Sequence, residues 1–220
     1  VQMKIDRGGG VTVFCGSTDI GQGSDSVLAT IVAEEFAIDP EQVIVVTADT
    51  DLTPVDLGSY SSRVTLMTGN AAIEACRPLK EKLLSAVAEV FQCTSESLTL
   101  SEGRVVSLRD TSKTVDFAEA VQWAEAKFGT LGSVGSYTPP RRGGKFKGAG
   151  VGPSPNYSYS ACVAEVECDP ETGIYQVHKL WLAHDVGRSI NPIQVMGQVE
   201  GSAYMGLGEV MMEEQVFRRG

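Results

Sequence analysis

Residues 129–156 have no regular hydrophobic pattern, and this long glycine- and proline-rich stretch divides the sequence into two parts. Connections longer than about 12–15 residues are uncommon inside a compact domain unless they have a function or link separate units. We interpret the stretch as a domain linker or as a loop that crosses a subunit surface. Its basic cluster, Arg141-Arg142 and Lys145-Phe146-Lys147, is typical of a solvated patch. The sequence therefore predicts one subdomain over residues 1–128 and a second over residues 157–220.

Strand-like and helix-like patterns alternate on both sides of this connection. The segments predicted to form strands are 2–6, 11–15, 43–46, 98–100, 105–108, 157–168 and 174–183. Apolar residues at helical spacing predict helices after Ser24-Asp25, from about residue 64 to Gln92, over Phe117–Phe128, and from about Pro192. No strand is followed by a G-x-G-x-x-G fingerprint. The pattern therefore favours an α+β fold with mixed sheets and packed helices, and not a Rossmann sheet.

Two local details of the helices follow from single residues. Ser24 and Asp25 are good N-cap residues, so we expect them to cap the first helix. Pro78 lies inside the second helical pattern, where a proline removes one backbone donor and clashes with the preceding turn. We therefore expect that helix to kink or to split at Pro78.

The composition argues against several functional classes. The 220 residues carry a net charge of −10, which argues against a nucleic-acid partner. No run of about 18 apolar residues occurs, so we expect no membrane-spanning helix. Five scattered cysteines without a C-x-x-C pair are typical of free thiols in the cytoplasm, and not of a disulfide framework or an iron–sulfur site.

Three stretches place glycine or serine at a predicted helix start, where unpaired N–H groups and the helix dipole favour anionic oxygens. They are Gly21-Gln22-Gly23-Ser24, then Gly58-Ser59-Tyr60-Ser61-Ser62-Arg63, and finally Asn191-Pro192 through Gly197-Gln198-Val199-Glu200-Gly201. In the second stretch, three serine hydroxyls and a guanidinium make a credible phosphate site. A capped helix beside a surface arginine is the alternative for that stretch. A simple turn and close helix–helix packing are the alternatives for the first and the third.

Together these stretches resemble the large subunit of the xanthine oxidase family of molybdenum enzymes. That subunit carries a G-Q-G segment, a serine-rich turn that opens a helix, and a D-x-G-x-x-x-N-P segment followed by G-Q-V-E-G. Here the last pattern runs from Asp185 to Pro192 and continues at Gly197–Gly201. The order and spacing agree over nearly the whole chain. Within the family, residues 49–63 and 150–155 are most similar to the 4-hydroxybenzoyl-CoA reductases, which remove a phenolic hydroxyl reductively.

The resemblance implies a molybdenum–molybdopterin cytosine dinucleotide cofactor and separate iron–sulfur and FAD subunits as partners. It also implies an aromatic substrate, carried as a CoA thioester. Gln22 and Gln198 would contact groups around the metal and the pterin, and the serine turn with Arg63 would hold the pyrophosphate. The cofactor-binding residues that it predicts are Gly21, Gln22, Gly23, Ser24, Ser59, Tyr60, Ser61, Ser62, Arg63, Thr65, Asp185, Asn191 and Gln198.

The sequence also departs from the family pattern. The Gly-Gly-Phe-Gly-Gly segment and the G-E-P segment, whose glutamate lies beside the metal, have no counterpart here. Glu209 is not expected to replace that glutamate, because it follows Gln198 by three helical turns. We therefore expect a fragment of a larger subunit, with no catalytic residue, no metal ligand and no activity of its own, rather than an intact processed domain. Two alternatives stay open: a hydroxylase of an aldehyde, CO or a heteroaromatic ring, and a non-catalytic assembly module.

Overall fold

The computed structural model describes residues 1–140 and 157–219. The basic cluster at 141–147 and the segment 150–155 lie outside the described residues. The chain divides into two compact units, Val1–Pro139 and Pro140–Gly220. The main elements in chain order are β1 (Gln2–Ile5), β2 (Val11–Phe14), α1 (Ser24–Phe36), β3 (Val43–Val46), α2 (Val64–Phe91), β4 (Leu98–Ser101), β5 (Arg104–Ser107), β6 (Thr114–Asp116), α3 (Phe117–Phe128), β7 (Leu131–Val134), β8 (Tyr159–Cys168), β9 (Tyr175–Asp185) and α4 (Pro192–Met211). This mixture of helices and separate sheets confirms the predicted α+β class.

The main sheet of the first unit has the strand order β3-β2-β1-β7. β1 is antiparallel to both β2 and β7, whereas β2 and β3 are parallel. The prediction that residues 129–156 are irregular is wrong for residues 131–134, which form β7. Leu131 lies opposite Ile5 and is buried, so strand pairing and one apolar contact suffice to make this short segment a strand.

Three helices, α1, α2 and α3, complete the core of the first unit. Alternation in β1 and β2 buries Met3, Ile5, Val11 and Val13, as a half-buried strand requires. The helices contribute the larger buried side chains, which are Leu28, Val32, Phe36, Leu79, Leu83, Phe117 and Val121. This core fixes the positions at which β2 and β3 end and α1 and α2 begin.

Helix α2 is one continuous element of 28 residues, and Pro78 lies inside it. The expectation that Pro78 splits this helix is wrong. The proline removes one backbone hydrogen bond, but Ala75, Cys76, Leu79 and Leu83 on either side are fully buried. Tertiary packing of this face therefore holds the helix together across the proline.

A second, three-stranded sheet in the first unit has the order β4-β5-β6. The predicted hairpin is present: β4 and β5 pair around Glu102 and Gly103, which both have positive φ. Strand β6 was not predicted, because a segment of three residues is too short to show an alternating pattern. Val87, Leu98, Val105, Val115 and Ala120 form a separate small core beneath this sheet.

The second unit consists of the antiparallel pair β8–β9 and helix α4. The pair is in continuous register apart from a shift between Glu165 and Val166. Every residue of β8 is exposed, and α4 has no buried residue. Tyr175 Oη donates to the carbonyl of Val210 at 3.0 Å, which connects β9 to the end of α4. Within this unit the helix and the hairpin are therefore only loosely packed.

All five cysteines are free thiols, as predicted. Cys162 and Cys168 lie on the exposed strand β8, while Cys15 and Cys76 are buried. Burial raises the pKa of the Cys76 thiol to about 12, with a further upward contribution from the nearby charge of Glu35. Cys76 therefore stays protonated and behaves as a small apolar side chain.

Candidate functional site

Two connections meet at one edge of the main sheet of the first unit. β2 and β3 are parallel neighbours, so the first connection (residues 15–23, leading to α1) and the second connection (residues 47–63, leading to α2) leave the sheet side by side. Ser59 Oγ donates to the Thr18 carbonyl at 2.6 Å and accepts from Thr18 N at 3.1 Å. These two hydrogen bonds bring the predicted Gly21–Ser24 and Gly58–Arg63 stretches together, although about 40 positions separate them.

Gly16 makes the closest approach between the two connections. A Cβ at this position would lie 2.1 Å from the Pro54 carbonyl oxygen and 2.9 Å from both N and Cβ of Asp56. Because real Cβ atoms do not approach backbone oxygens so closely, only glycine fits here. Beneath them, the buried hydroxyl of Ser17 lies 2.7 Å from Cys15 Sγ and 3.4 Å from Thr68 Oγ1 on α2. The two connections are therefore packed as one body within the first unit.

The start of α1 is capped by a carboxylate from the first connection. Asp19 Oδ1 accepts from the backbone N–H groups of Gly21 and Gly23 at 2.8 and 3.3 Å, and Oδ2 accepts from that of Asp25 at 3.2 Å. The expected capping by Ser24 and Asp25 is wrong: the N-cap residue is Gly23, with a φ of 79°. A glycine there allows the left-handed turn that points these amides at Asp19.

The carboxylates around the start of α1 have opposite pKa shifts. Burial raises the pKa of Asp19, but backbone N–H groups of residues 21, 23, 24 and 25 lower it more, so that it lies below its ordinary value. Burial raises the pKa of Asp25, the negative charge of Asp19 adds to this, and the Thr47 hydroxyl opposes it through a 3.1 Å hydrogen bond. Ionised Asp19 thus occupies the position that an anionic ligand would take at this helix start.

Gln22 and Ser24 bond to each other and to their own loop. Gln22 Oε1 accepts from Ile20 N at 2.6 Å, while its Nε2 donates to the Thr18 carbonyl at 3.3 Å and to Ser24 Oγ at 3.0 Å. Ser24 is buried and Gln22 is half-buried. Both predicted site residues therefore lie near the second connection, but their side-chain polar atoms form hydrogen bonds only with residues of the first connection and the start of α1.

The start of α2 differs from that of α1. Its N-cap residue is Arg63, and no side chain caps the helix. Ser61 and Ser62 precede it with φ values of 55° and 48°, in the left-handed region that non-glycine residues rarely adopt. The hydroxyls of Ser61, Ser62 and Thr65 are exposed and have no hydrogen-bond partner among the described residues. Unpaired helix N–H groups, three exposed hydroxyl-bearing residues and the positive end of the helix dipole therefore lie at the start of α2.

Arg63 is anchored at this open helix start. Its Nη1 donates to Asp56 Oδ1 and to the Gly58 carbonyl, each at 2.8 Å. Its guanidinium carbon lies 5.6 Å from the centre of the Tyr60 ring. Tyr60 is itself exposed, so this predicted site residue supports Arg63 through its ring face. Asp56, which the sequence does not single out, is the residue that anchors Arg63.

The remaining predicted site residues, Asp185, Asn191 and Gln198, belong to the second unit. Asp185 Oδ1 accepts from Gly187 N at 2.9 Å, which closes the turn after β9. Asn191 caps α4, because its side-chain oxygen accepts from Gln194 N at 3.1 Å. Gln198 lies on an exposed position of α4, and Glu209 lies further along the same helix, also exposed. Asp185 and Asn191 thus have a local structural role in addition to the one predicted for them.

The described residues contain neither a cluster of metal-binding side chains nor a membrane-spanning helix. No group of three or more histidine, cysteine, aspartate or glutamate side chains there has the arrangement of a metal site. No helix in residues 1–140 or 157–219 has the length and apolar character needed to cross a bilayer.

The family to which the chain belongs indicates which ligand these helix starts face. The model of the molybdopterin cofactor-binding domain matches residues 1–220. The chain belongs to this family. A molybdopterin-binding domain must hold a phosphorylated ligand, and of the starts of α1 and α2, which lie side by side, that of α2 has first-turn N–H groups with no partner among the described residues. The residues present therefore fit a phosphorylated cofactor at α2, and they do not fit its anionic part at α1.

Similar proteins cover the domain along its whole length. The chain is 32% identical over 215 residues to the 6-hydroxypseudooxynicotine dehydrogenase complex subunit gamma of Paenarthrobacter nicotinovorans. It is 30% identical over 217 residues to a probable hypoxanthine oxidase of Escherichia coli. A solved CO dehydrogenase from Oligotropha carboxidovorans superimposes with a TM-score of 0.86 at 25% identity, over 99% of this chain. The predicted resemblance to the xanthine oxidase family is thereby confirmed.

The relatives are much longer than this molybdopterin-binding domain. The alignments span 98% of the domain but only 26% and 21% of the two curated relatives, and 26% of the solved chain. The chain thus spans about a fifth to a quarter of the length of the relatives that it matches.

Proposed function

We propose that this domain is part of the large subunit of a molybdenum oxidoreductase and that the start of α2 holds the pyrophosphate of a molybdopterin cytosine dinucleotide. The observation that carries this proposal is the contrast between an uncapped α2, preceded by Ser61 and Ser62 in left-handed conformations, and the capped α1. When bound, the molybdenum group supplies two-electron redox chemistry. The residues of this chain bind and orient that group.

Seven of the thirteen predicted residues have a direct role in this proposal. The α2 amides, with the hydroxyls of Ser61, Ser62 and Thr65 and the guanidinium of Arg63, bind phosphate oxygens through charge-assisted hydrogen bonds. Ser59 holds the second connection against Thr18. Gln22 and Gln198 supply amide groups to the pterin and the metal environment, and for Gln22 this requires the exchange of its bonds to Thr18 and Ser24.

The proposed partners are an iron–sulfur subunit and an FAD subunit in a cytoplasmic enzyme. Electrons at the molybdenum must be exchanged with another redox centre, and the described residues contain no group of cysteines that could hold one. The names of several relatives, which are a complex "subunit gamma", a "large subunit" and a "large chain", support a division of these centres among subunits.

For the reaction we propose reductive dehydroxylation of an aromatic CoA thioester, on the sequence similarity of residues 49–63 and 150–155. In this reaction two electrons and two protons convert Ar–OH to Ar–H and water. A second candidate is the reverse type of chemistry, in which water supplies the hydroxyl and two electrons leave the substrate. The names of the relatives, among them nicotine 6-hydroxylase and probable hypoxanthine oxidase, support this second candidate.

The cofactor site is tested with Ser61→Ala, Ser62→Ala and Arg63→Ala combined in the full-length subunit. Each charge-assisted hydrogen bond lost should cost on the order of 1.5–3 kcal/mol. We therefore expect the purified variant to lose most of its molybdenum and its releasable cytidine nucleotide. Ser133→Ala, which removes a serine hydroxyl bonded to the Ala75 carbonyl elsewhere on α2, is the matched control. Cofactor content equal to that of the wild type would refute the assignment of this site.

The reaction is tested with the complete enzyme and its partner subunits. One assay supplies 4-hydroxybenzoyl-CoA with a low-potential reductant and measures loss of the phenolic hydroxyl. The other supplies hypoxanthine or nicotine with an electron acceptor and measures incorporation of oxygen from labelled water. Turnover only in the second assay would replace the dehydroxylation proposal with the hydroxylase candidate and leave the cofactor site untouched.

A further inference from the structure

We propose that Asp56 is a positioning residue that holds Arg63 and the Ser61–Ser62 turn ready for a diphosphate at the start of α2. This inference rests on the proposed cofactor site. Asp56 bonds to the Arg63 guanidinium and to the backbone of Gly58, so its effect on a ligand acts through Arg63 and the backbone of the second connection.

A single carboxylate oxygen closes the segment between residues 56 and 63. Asp56 Oδ1 accepts from Gly58 N at 2.8 Å and from Arg63 Nη1 at 2.8 Å. The same Nη1 donates to the Gly58 carbonyl at 2.8 Å. The side chains of Asp56 and Arg63 are 19% and 18% exposed, so this ion pair is shielded from water and from salt more than a surface pair is.

This arrangement anchors the guanidinium at one nitrogen. Both hydrogens of Nη1 are used, while Nε and Nη2 have no hydrogen-bond partner among the described residues. A guanidinium has five N–H donors in a fixed planar fork. Three donors therefore remain for an anion, in a plane fixed by Asp56 and supported by the Tyr60 ring.

Asp56 is itself fixed by the first connection. Gly16 packs so closely that a Cβ there would lie 2.9 Å from the Asp56 backbone nitrogen. Ser59 is held to Thr18 by two hydrogen bonds. Ser61 and Ser62 thus lie in a short segment whose two ends are both tied down, which explains how two left-handed serines persist.

A carboxylate so near an anion site has two opposed effects. It orients Arg63, which favours binding, and it repels the incoming diphosphate, which opposes binding. Because Asp56 bonds only to Nη1 and leaves the other donors unpaired, we infer that orientation is the larger effect. The two effects predict opposite results when the carboxylate is removed.

The experiment measures the binding of cytidine diphosphate to the cofactor-free full-length subunit by calorimetry. Asp56→Ala should weaken binding about tenfold or more, in the range of one charge-assisted hydrogen bond. Asp56→Asn keeps an acceptor oxygen at the same place and should stay within about threefold of the wild type. Asp51→Asn removes a nearby exposed carboxylate and should change nothing. If repulsion is the larger effect, Asp56→Ala and Asp56→Asn will both bind more tightly, and the inference is wrong.

A double-mutant cycle separates positioning from general damage. Because Asp56 acts largely through Arg63, adding Asp56→Ala to Arg63→Ala should produce a much smaller further loss of affinity than Asp56→Ala causes in the wild type. An additive further loss would show that Asp56→Ala damages the fold, and would overturn the inference. The single variant Arg63→Ala separates a failure of the cofactor site from a failure of the role of Asp56. If Arg63→Ala binds cytidine diphosphate as tightly as the wild type, the cofactor site is refuted. If Arg63→Ala loses affinity and Asp56→Ala does not, only the role of Asp56 is refuted.

Discussion

Helices α1 and α2 begin at the same edge of one sheet, and each follows one of two parallel strands. Their first turns nevertheless differ in whether the backbone N–H groups are capped by a side chain. At α1 the protein's own carboxylate, Asp19, accepts from three backbone N–H groups. At α2 no side chain caps the helix, and two serines with positive φ precede it. The G-Q-G segment therefore marks a self-capped turn, while the serine turn marks the position open to an anion.

On the function proposed above, a helix start can bind an anion only where the chain leaves its first N–H groups uncapped. Helix dipoles and unpaired N–H groups are present at both positions. What differs is the group to which the upstream carboxylate bonds: Asp19 accepts from an N–H group in the first turn of α1, whereas Asp56 accepts from Gly58 and Arg63 and leaves the first N–H groups of α2 unpaired. Left-handed serines cost free energy, and a packed surrounding must hold them in place. Here the contacts of Gly16, Ser59 and Asp56 hold them.

The largest effect is expected from Gly16→Ala, because it separates the two connections. The new Cβ would overlap the Pro54 carbonyl, and relief requires that the second connection moves away. We expect the free energy of unfolding to fall by about 1–3 kcal/mol, as for overpacked positions. Urea unfolding should be followed through Trp123, which packs on the core of the first unit, in a Trp181→Phe background.

A control at Gly132 shows whether the loss at Gly16 is specific. A Cβ at Gly132 would come no closer than 3.6 Å to its nearest neighbour, the Met3 carbonyl. Gly132→Ala should therefore leave stability nearly unchanged. An equal loss in both variants would mean that the contact between the connections is unimportant.

An intermediate effect is expected from Asp19→Ala, which would make α1 as uncapped as α2. Loss of a helix cap costs about 0.5–2 kcal/mol. Asp51→Ala, which removes an exposed carboxylate with no hydrogen-bond partner among the described residues, is the control. If Asp19→Ala leaves the urea midpoint unchanged, then the two helix starts do not differ in energy as the geometry indicates.

The stabilisation from Asp19 should also depend on pH. Its pKa in the folded protein lies below the ordinary value of 3.8, so its contribution is present above that pH and is lost as the pH falls through the lower, folded value. The difference in unfolding free energy between wild type and Asp19→Ala should be constant near neutral pH and shrink below about pH 4. A difference that grows on acidification would contradict this assignment.

The smallest effect, and of opposite sign, is expected from Ser62→Gly at the start of α2. Glycine adopts positive φ without the steric cost that serine has, so the cofactor-free domain should gain up to about 1 kcal/mol. The same variant should bind cytidine diphosphate less tightly, because a hydroxyl is lost. Ser62→Ala keeps the strain and should show the loss of affinity without the gain in stability.

Much of the fold could be predicted from the sequence, because its elements carry their signals locally. The β4–β5 turn is an example: Gly103 marks a position with positive φ, and the structure has it. Strand β7 has no such signal, since its partner β1 lies at the other end of the unit. Alternating and helical patterns reflect only residues that are close in sequence. They therefore do not predict a strand whose formation depends on pairing with a distant segment.

The candidate site shows the same limit. The residue types of Ser61, Ser62 and Arg63 pointed to an anion, and the structure brings them to an uncapped helix start. No sequence signal predicts the left-handed backbone conformation of Ser61 and Ser62, because glycine or asparagine is the usual residue at such positions. Asp19 and Asp56 were also not predicted, because the function of each depends on a loop that turns back on itself.

The pairing of β1 with β7 has a consequence for synthesis on the ribosome. Gln2 lies opposite Val134, so β1 leaves the exit tunnel long before its partner does. Until then one edge of β1 presents unpaired N–H and C=O groups, which can template pairing with another chain. Such distant pairing also forms slowly. A nascent chain that stalls before residue 131 is therefore expected to enter aggregates, and chaperone capture of the unfinished sheet should matter most during this interval.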